Sequence, residues 1–271
     1  MGFDQDRAAR EQAYSPSRWA RDCEASLARQ AELGARLRER HPPRRLSYGA
    51  GPREGLDLFL PGGQGPWPLM VFLHGGYWQE LDAAATDFMA VPWLGRGWAF
   101  ASLDYPLAPQ AGIEAMVAAC RRGIAALRRE ASALGLDGRL HLGGHSAGAQ
   151  LALMSCLGEG RLTGIAGLWL ISGIYDLRPL VGTYIDAPLW LDDERAARLS
   201  PLCQDLRGLP PLRLVHGELD PPAFRAQGEA LYERARAAGG AVELRPLPDC
   251  DHFDILERLD ALPRRADSLT R

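Results

Sequence analysis

The 271-residue chain contains no lysine and no asparagine, so all 31 of its basic side chains are arginine. Each absence removes chemistry. Without lysine there is no Schiff base to a carbonyl or to pyridoxal phosphate, no lysine general base and no Walker-A phosphate clamp. Without asparagine there is no N-glycosylation acceptor, and none to serve an oxyanion hole or to stand behind a cysteine–histidine pair. Covalent catalysis is left to serine, cysteine, threonine, a carboxylate, histidine or tyrosine. Both missing residues have AT-rich codons, so their joint absence reads as the bias of a GC-rich genome.

Other absences narrow the class. The formal net charge is only −3, which marks neither nucleic acid nor an anionic membrane as a partner. The longest apolar stretch, Ile165–Ile174, is broken by glycine and serine and is too short to cross a bilayer. Charges run through the first 30 residues (Asp4, Asp6, Arg7, Arg10, Glu11), so no signal peptide is visible. The five cysteines are odd in number, scattered and free of any C-x-x-C pair. A disulfide framework or zinc site is not expected, and a reducing cytoplasm is the natural compartment. The expected partner is a small-molecule substrate, with no cofactor and no metal. Oligomeric state is not legible, although a homodimer is compatible with the composition.

The length fits one large α/β domain or two small ones, and the element pattern favours a single domain over 1–271. Residues 1–44 read as an N-terminal helical segment, interrupted at Tyr14-Ser15-Pro16-Ser17, with a second helix from Ser17 that His41-Pro42-Pro43 stops. Short strands follow at Leu46–Tyr48 and Leu56–Leu60. Strands are then expected at Leu69–Leu73, Trp98–Leu103, Leu140–Leu142 (the core of a short one), Gly167–Ile171, Leu212–His216 and Val242–Leu244. Helical spacing falls over Ile113–Leu134, Ser146–Leu157 and Ala223–Ala238, with a closing helix from about Phe253. This alternation predicts an α/β fold, with a mostly parallel central sheet and helices on both faces. Residues 173–210 break the pattern. They are rich in proline and aromatics, carry one helical piece at Asp192–Leu199, and read as a small lid-like insertion at the C-terminal side of a strand.

The central motif is Gly144-His145-Ser146-Ala147-Gly148, a G-x-S-x-G that follows a predicted strand and opens a helix. That is the setting of a nucleophile elbow, in which a strained serine tolerates only small residues two positions to either side. A serine needs a base. Of the six histidines, only His252 lies in an exposed turn beyond the last strand, where the order serine, acid, histidine places it. The acid is expected after the preceding strand, where Asp220 stands before Pro221 and Pro222; Glu218 is its rival, with Asp249 and Asp251 behind it. The acid's role is to hold the imidazole tautomer and stabilise the imidazolium. Backbone donors for an oxyanion are offered by Gly75 and Gly76 in His74-Gly75-Gly76-Tyr77-Trp78, directly after the strand Leu69–Leu73, and by Ala147.

These residues resemble the hormone-sensitive-lipase-like branch of the α/β-hydrolase fold, as does Asp104-Tyr105-Pro106-Leu107-Ala108-Pro109. The runs His74–Gln79, Gly144–Leu151, Ser172–Leu177 and Asp251–Leu256, with Tyr14–Trp19 near the start, are more closely similar to the serine-hydrolase type of kynurenine formamidase, or arylformamidase. The H-G-G-x-W run is more specific than the serine motif. Gln150 departs from the family pattern, which has histidine there. The resemblance implies hydrolysis of N-formyl-L-kynurenine to L-kynurenine and formate in tryptophan breakdown. It makes Tyr77 and Trp78 candidates to close the acyl side, and Tyr175, Trp190 and Phe253 candidate walls for the aryl group. With no lysine in the chain, the substrate carboxylate is left to an arginine or a neutral donor.

Three other readings compete. A general carboxylesterase shares the same triad. A non-catalytic binding protein on a hydrolase scaffold would typically have lost the serine or the histidine. A metal-dependent amidase has only the H-x-x-x-H of His141 and His145 in its favour, with no H-E-x-x-H, and their strand-end setting is not expected to put both rings on one face.

Overall fold

The computed structural model describes residues 2–261, with side chains for 6–258; residue 1 and residues 262–271 of the expected single domain lie outside them. Eight strands form one sheet: β1 (Arg44–Ser47), β2 (Gly55–Phe59), β3 (Trp67–Leu73), β4 (Ala99–Leu103), β5 (Leu136–His145), β6 (Gly167–Ile171), β7 (Leu212–Gly217) and β8 (Val242–Leu247). Their order is β1-β2-β4-β3-β5-β6-β7-β8. The β1–β2 and β2–β4 pairs are antiparallel and the rest are parallel.

The continuous apolar run of β3 shows why both faces are covered. Leu69, Val71 and Leu73 belong to one hydrophobic core, while Met70 and Phe72 belong to another. Alternate side chains of a strand leave on opposite sides, so each core occupies one face. The first is closed by α4 (Ile113–Glu130), α5 (Ala147–Ser155) and α7 (Pro222–Ala237). The second is closed by Phe88, Met89 and Ala90, where a 3-10 segment passes into α3 (Ala90–Leu94), and by Ile255 and Leu256 of the last 3-10 turn.

Several expected boundaries move. The strand expected around Leu140–Leu142 is ten residues long, because Leu136 pairs with Trp67 ahead of a register shift. The N-terminal segment divides into α1 (Gly2–Ala13), a 3-10 turn at Pro16–Arg18 and α2 (Cys23–Arg40). The second helix starts at Cys23 rather than Ser17 because the Asp22 carboxylate accepts from Ala25 N at 2.9 Å and caps it. Trp19 stays in the connector, its indole donating to Gln12 O at 3.0 Å.

The N-terminal segment lies over residues 173–210. Arg10 donates to the carbonyls of Pro179 and Val181 at 2.9 and 2.7 Å. Ser15 Oγ and Tyr184 Oη share a hydrogen bond of 2.6 Å. The longer connection contains α6 (Asp193–Arg198), whose Asp192 cap accepts from Arg195 N. In parallel sheets of this kind the crevice at the C-terminal strand ends is where ligands bind, and these two segments stand over it.

Candidate active site

Ser146 leaves the end of β5 with φ 55° and ψ −120°, a conformation that favours glycine, and α5 begins at the next residue. Its amide is held by Ile171 O at 2.9 Å. The close packing behind it explains the flanking glycines. A Cβ on Gly144 would overlap the Gly148 carbonyl, and one on Gly148 would overlap the carbonyl oxygens of Leu73 and His74. The turn is thus wedged between β3 and its own helix, with the Ala147 amide at the positive end of α5.

His252 reaches the same crevice from the loop after β8. Its Nδ1 lies 2.8 Å from Asp220 Oδ1, and both side chains are buried. The other oxygen of Asp220 accepts from Ser172 Oγ at 2.5 Å and Gly217 N at 2.9 Å. Burial pushes the Asp220 carboxyl upward, but His252, Ser172 and the Gly217 amide outweigh it and hold the group below its ordinary value. The carboxylate therefore orients the imidazole with both oxygens engaged. Ser172, at φ 46° just past β6, is a position to which motif reading assigns no role; it lies within the Ser172–Leu177 run.

The rival acids stand elsewhere. Glu218 is exposed. Asp249 pairs with Arg21 at the surface. Asp251 organises the histidine turn, accepting from Phe253 N and Asp254 N, and takes the Arg21 amide at 3.0 Å. His145 also supports this loop. Burial presses its pKa down to about 3, so the neutral ring donates from Nε2 to His252 O at 2.8 Å.

The loop after β3 is braced from β4. His74 stacks on Tyr105 with centroids 4.2 Å apart, and Tyr105 Oη donates to His74 O at 2.7 Å. Gly76 has φ 94°, and a Cβ there would collide with the Glu80 carbonyl. Gln79 N and Glu80 N both donate to Gly76 O, closing a tight turn. A Cβ on Gly75 would press on Ser146 Cβ, so this backbone lies directly beside the serine.

A cavity of about 330 Å³ opens above these groups, reached by Ser146, His252, Gly75 and Gly76. Tyr77 and Phe253 line it; Trp78, Tyr175 and Trp190 do not. Trp78 is fully buried, and its Nε1 donates to Gln150 Oε1 at 3.1 Å. Gln150 donates in turn to Leu199 O, so the departure from the family motif falls on the residue that anchors this tryptophan. Tyr175 is buried, its ring folded back against Gly173. Trp190 is 71% exposed, because its neighbours Leu189 and Leu191 turn inward.

Instead, the roof carries Ser15, Pro16 and Leu27 from the N-terminal segment and Tyr184 and Ile185 from the longer connection. Among the described residues no arginine lines the cavity, whereas the neutral donor Ser17 does. His141 and His145 do share a face of β5, as residues four apart on a strand must, but about 13 Å separates such positions. His141 packs on Trp98, and His145 on His252. Among the described residues, no group of three or more His, Cys, Asp or Glu could hold a metal ion, and no helix is long and apolar enough to cross a membrane.

A serine on a strained elbow beside backbone amides, lining one cavity with a histidine whose acid is anchored, has the chemistry to attack an acyl carbon. That is the class of the α/β-hydrolases. Residues 70–255 match the family model for the alpha/beta hydrolase fold. The kynurenine formamidase of Danio rerio is 33% identical, with 91% of this chain and 89% of that one covered. That of Salmo salar is 32% identical, covering 94% and 92%. A crystal structure from Silicibacter sp. tm1040, named as a candidate thioesterase, superposes with a TM-score of 0.83 at 29% identity, over 95% of this chain and 96% of that one. The chain belongs to the α/β-hydrolase family and, within it, to the family of the kynurenine formamidases.

Proposed function

We propose that the protein hydrolyses N-formyl-L-kynurenine to L-kynurenine and formate through a formyl-enzyme on Ser146. The observation that carries this reading is the reach of the similarity. It runs at 33% identity over 91% of the chain against the Danio rerio formamidase.

Ser146 Oγ attacks the formyl carbon while His252 Nε2 takes its proton. Asp220 stabilises the imidazolium that results and does not itself become protonated. Negative charge gathers on the formyl oxygen, where the amides of Gly75, Gly76 and Ala147 are the donors; one such donor is typically worth ~10²–10³ in turnover. His252 then protonates the departing arylamine. Water, deprotonated by His252, attacks the formyl ester, and formate leaves as Ser146 recovers its proton. Tyr77, beside the oxyanion loop, favours a small acyl group, and Phe253 offers a wall to the aryl group. The free cysteines fit a reducing compartment, the cytoplasm.

The test is kcat/KM on N-formyl-L-kynurenine against short-chain aryl esters, with Ser146→Ala as control. The formamide is expected to be the better substrate. Much faster turnover of the esters makes the protein a general carboxylesterase, and activity that survives Ser146→Ala removes the mechanism.

A further inference from the structure

The polar groups on the cavity wall divide into those already engaged and those left over. Gln30 donates to Phe253 O, Gln79 to Ile185 O and Thr86 to Ala83 O. Tyr77 donates to Tyr14 O, while Ser15 and Tyr184 bond to each other. Apart from Ser146 and His252, this leaves Glu80 as the one acidic residue of the lining, its exposed carboxylate without a hydrogen bond or ion pair, and Ser17 as a free hydroxyl, among the described residues.

Glu80 is fixed in place by its backbone and left open at its carboxylate. Its amide donates to Gly76 O at 3.0 Å, which sets it one tight turn from the oxyanion loop, and it is exposed at the mouth. The neighbouring guanidinium of Arg53 is occupied by Leu81 O, Tyr105 O and Asp104 Oδ1. Among the described residues the lining thus holds one acidic residue, no arginine and largely apolar walls.

We propose that Glu80 determines specificity by pairing with a cationic group on the leaving-group side of the substrate. Under the formamidase reading, on which this rests for its natural ligand, that group is the α-ammonium of the amino-acid side chain. The substrate carboxylate is then left to neutral donors such as Ser17. A formamide or ester whose leaving group carries only negative charge meets Glu80 as repulsion and is disfavoured.

The experiment compares matched substrates in the wild type, Glu80→Gln and Glu80→Asp. One pair is N-formyl-L-kynurenine and its analogue lacking the α-amino group. The other is 4-(2-aminoethyl)phenyl acetate and 4-propylphenyl acetate. The wild type is expected to prefer the cationic member of each pair in kcat/KM. Glu80→Gln lowers that preference about two- to fivefold, Glu80→Asp keeps part of it, and added salt weakens it, as befits an exposed charge pair. An unchanged preference in Glu80→Gln, or none in the wild type, overturns the proposal. Should N-formyl-L-kynurenine not be turned over while the acetate pair shows a Glu80-dependent preference, the formamidase reading fails and the role of Glu80 stands. Turnover of N-formyl-L-kynurenine with the same ratio in Glu80→Gln removes the role of Glu80 and leaves the formamidase reading standing.

Discussion

The floor and the roof of the cavity are built on different principles. On the floor, strand ends deliver Ser146, Ser172, Asp220 and the Gly75–Gly76 turn, and backbone contacts leave almost no freedom. A single methyl at Gly148 has nowhere to go. The roof is assembled from segments far apart in sequence, tied by side-chain hydrogen bonds such as those of Ser15 with Tyr184 and of Arg10 with the carbonyls of Pro179 and Val181. Strain and close packing hold the floor, whereas the roof rests on exchangeable contacts. In the proposed mechanism the floor breaks the bond, and the roof selects the molecule held while it does.

Substitutions can test that division. Ser146→Ala is expected to lower kcat by about 10⁴-fold or more, because no other group on the floor can form the acyl-enzyme; single-turnover kinetics with a purified variant checks it. Gly148→Ala comes next. Its Cβ must displace β3 or the elbow, so we expect about 2–4 kcal/mol of lost stability by denaturant titration, together with a loss of activity beyond 100-fold. Tolerance of the methyl would show that the floor is softer than its contacts indicate. Ser172→Ala removes one of the bonds holding Asp220 ionised. The Asp220 carboxyl rises toward its ordinary value and loses one of the contacts that fix its second oxygen, so kcat is expected to fall about tenfold. An unchanged kcat would mean His252 and Gly217 suffice. The smallest effect belongs to the roof. Tyr184→Phe loses its bond to Ser15, and KM is expected to rise about two- to fivefold with kcat nearly unchanged. A large fall in kcat there would erase the distinction.

The same contrast explains what the sequence reveals. Backbone-driven features leave local marks: the glycines around Ser146, the apolar run of β3 and the glycine pair that follows it. Each is needed by its own few neighbours, so a short motif carries it. Asp220 is one of several nearby carboxylates in the sequence, and only the three-dimensional pairing with His252, Ser172 and Gly217 separates it from Glu218, Asp249 and Asp251. Aromatic walls are the least legible. Trp78, Tyr175 and Trp190 have the right chemistry, but direction is decided by tertiary packing: a hydrogen bond to Gln150, a fold back on Gly173, a pair of inward leucines. Nothing local announces that Ser15 and Leu27 should sit above a serine more than a hundred residues away, although the Tyr14–Trp19 run marks that segment as one the family shares.

The Arg21 clasp on the histidine turn has a consequence for how the molecule matures. Its amide meets Asp251, 230 positions further along the chain, beside His252, the base of the proposed mechanism. Both partners lie outside the eight strands, so the sheet can form without this contact. The sheet can therefore be complete, and its spectroscopic signal native, while the proton shuttle still waits for its anchor. Catalytic competence becomes a later event than the acquisition of shape, and the first activity to return after unfolding should trail the return of secondary structure.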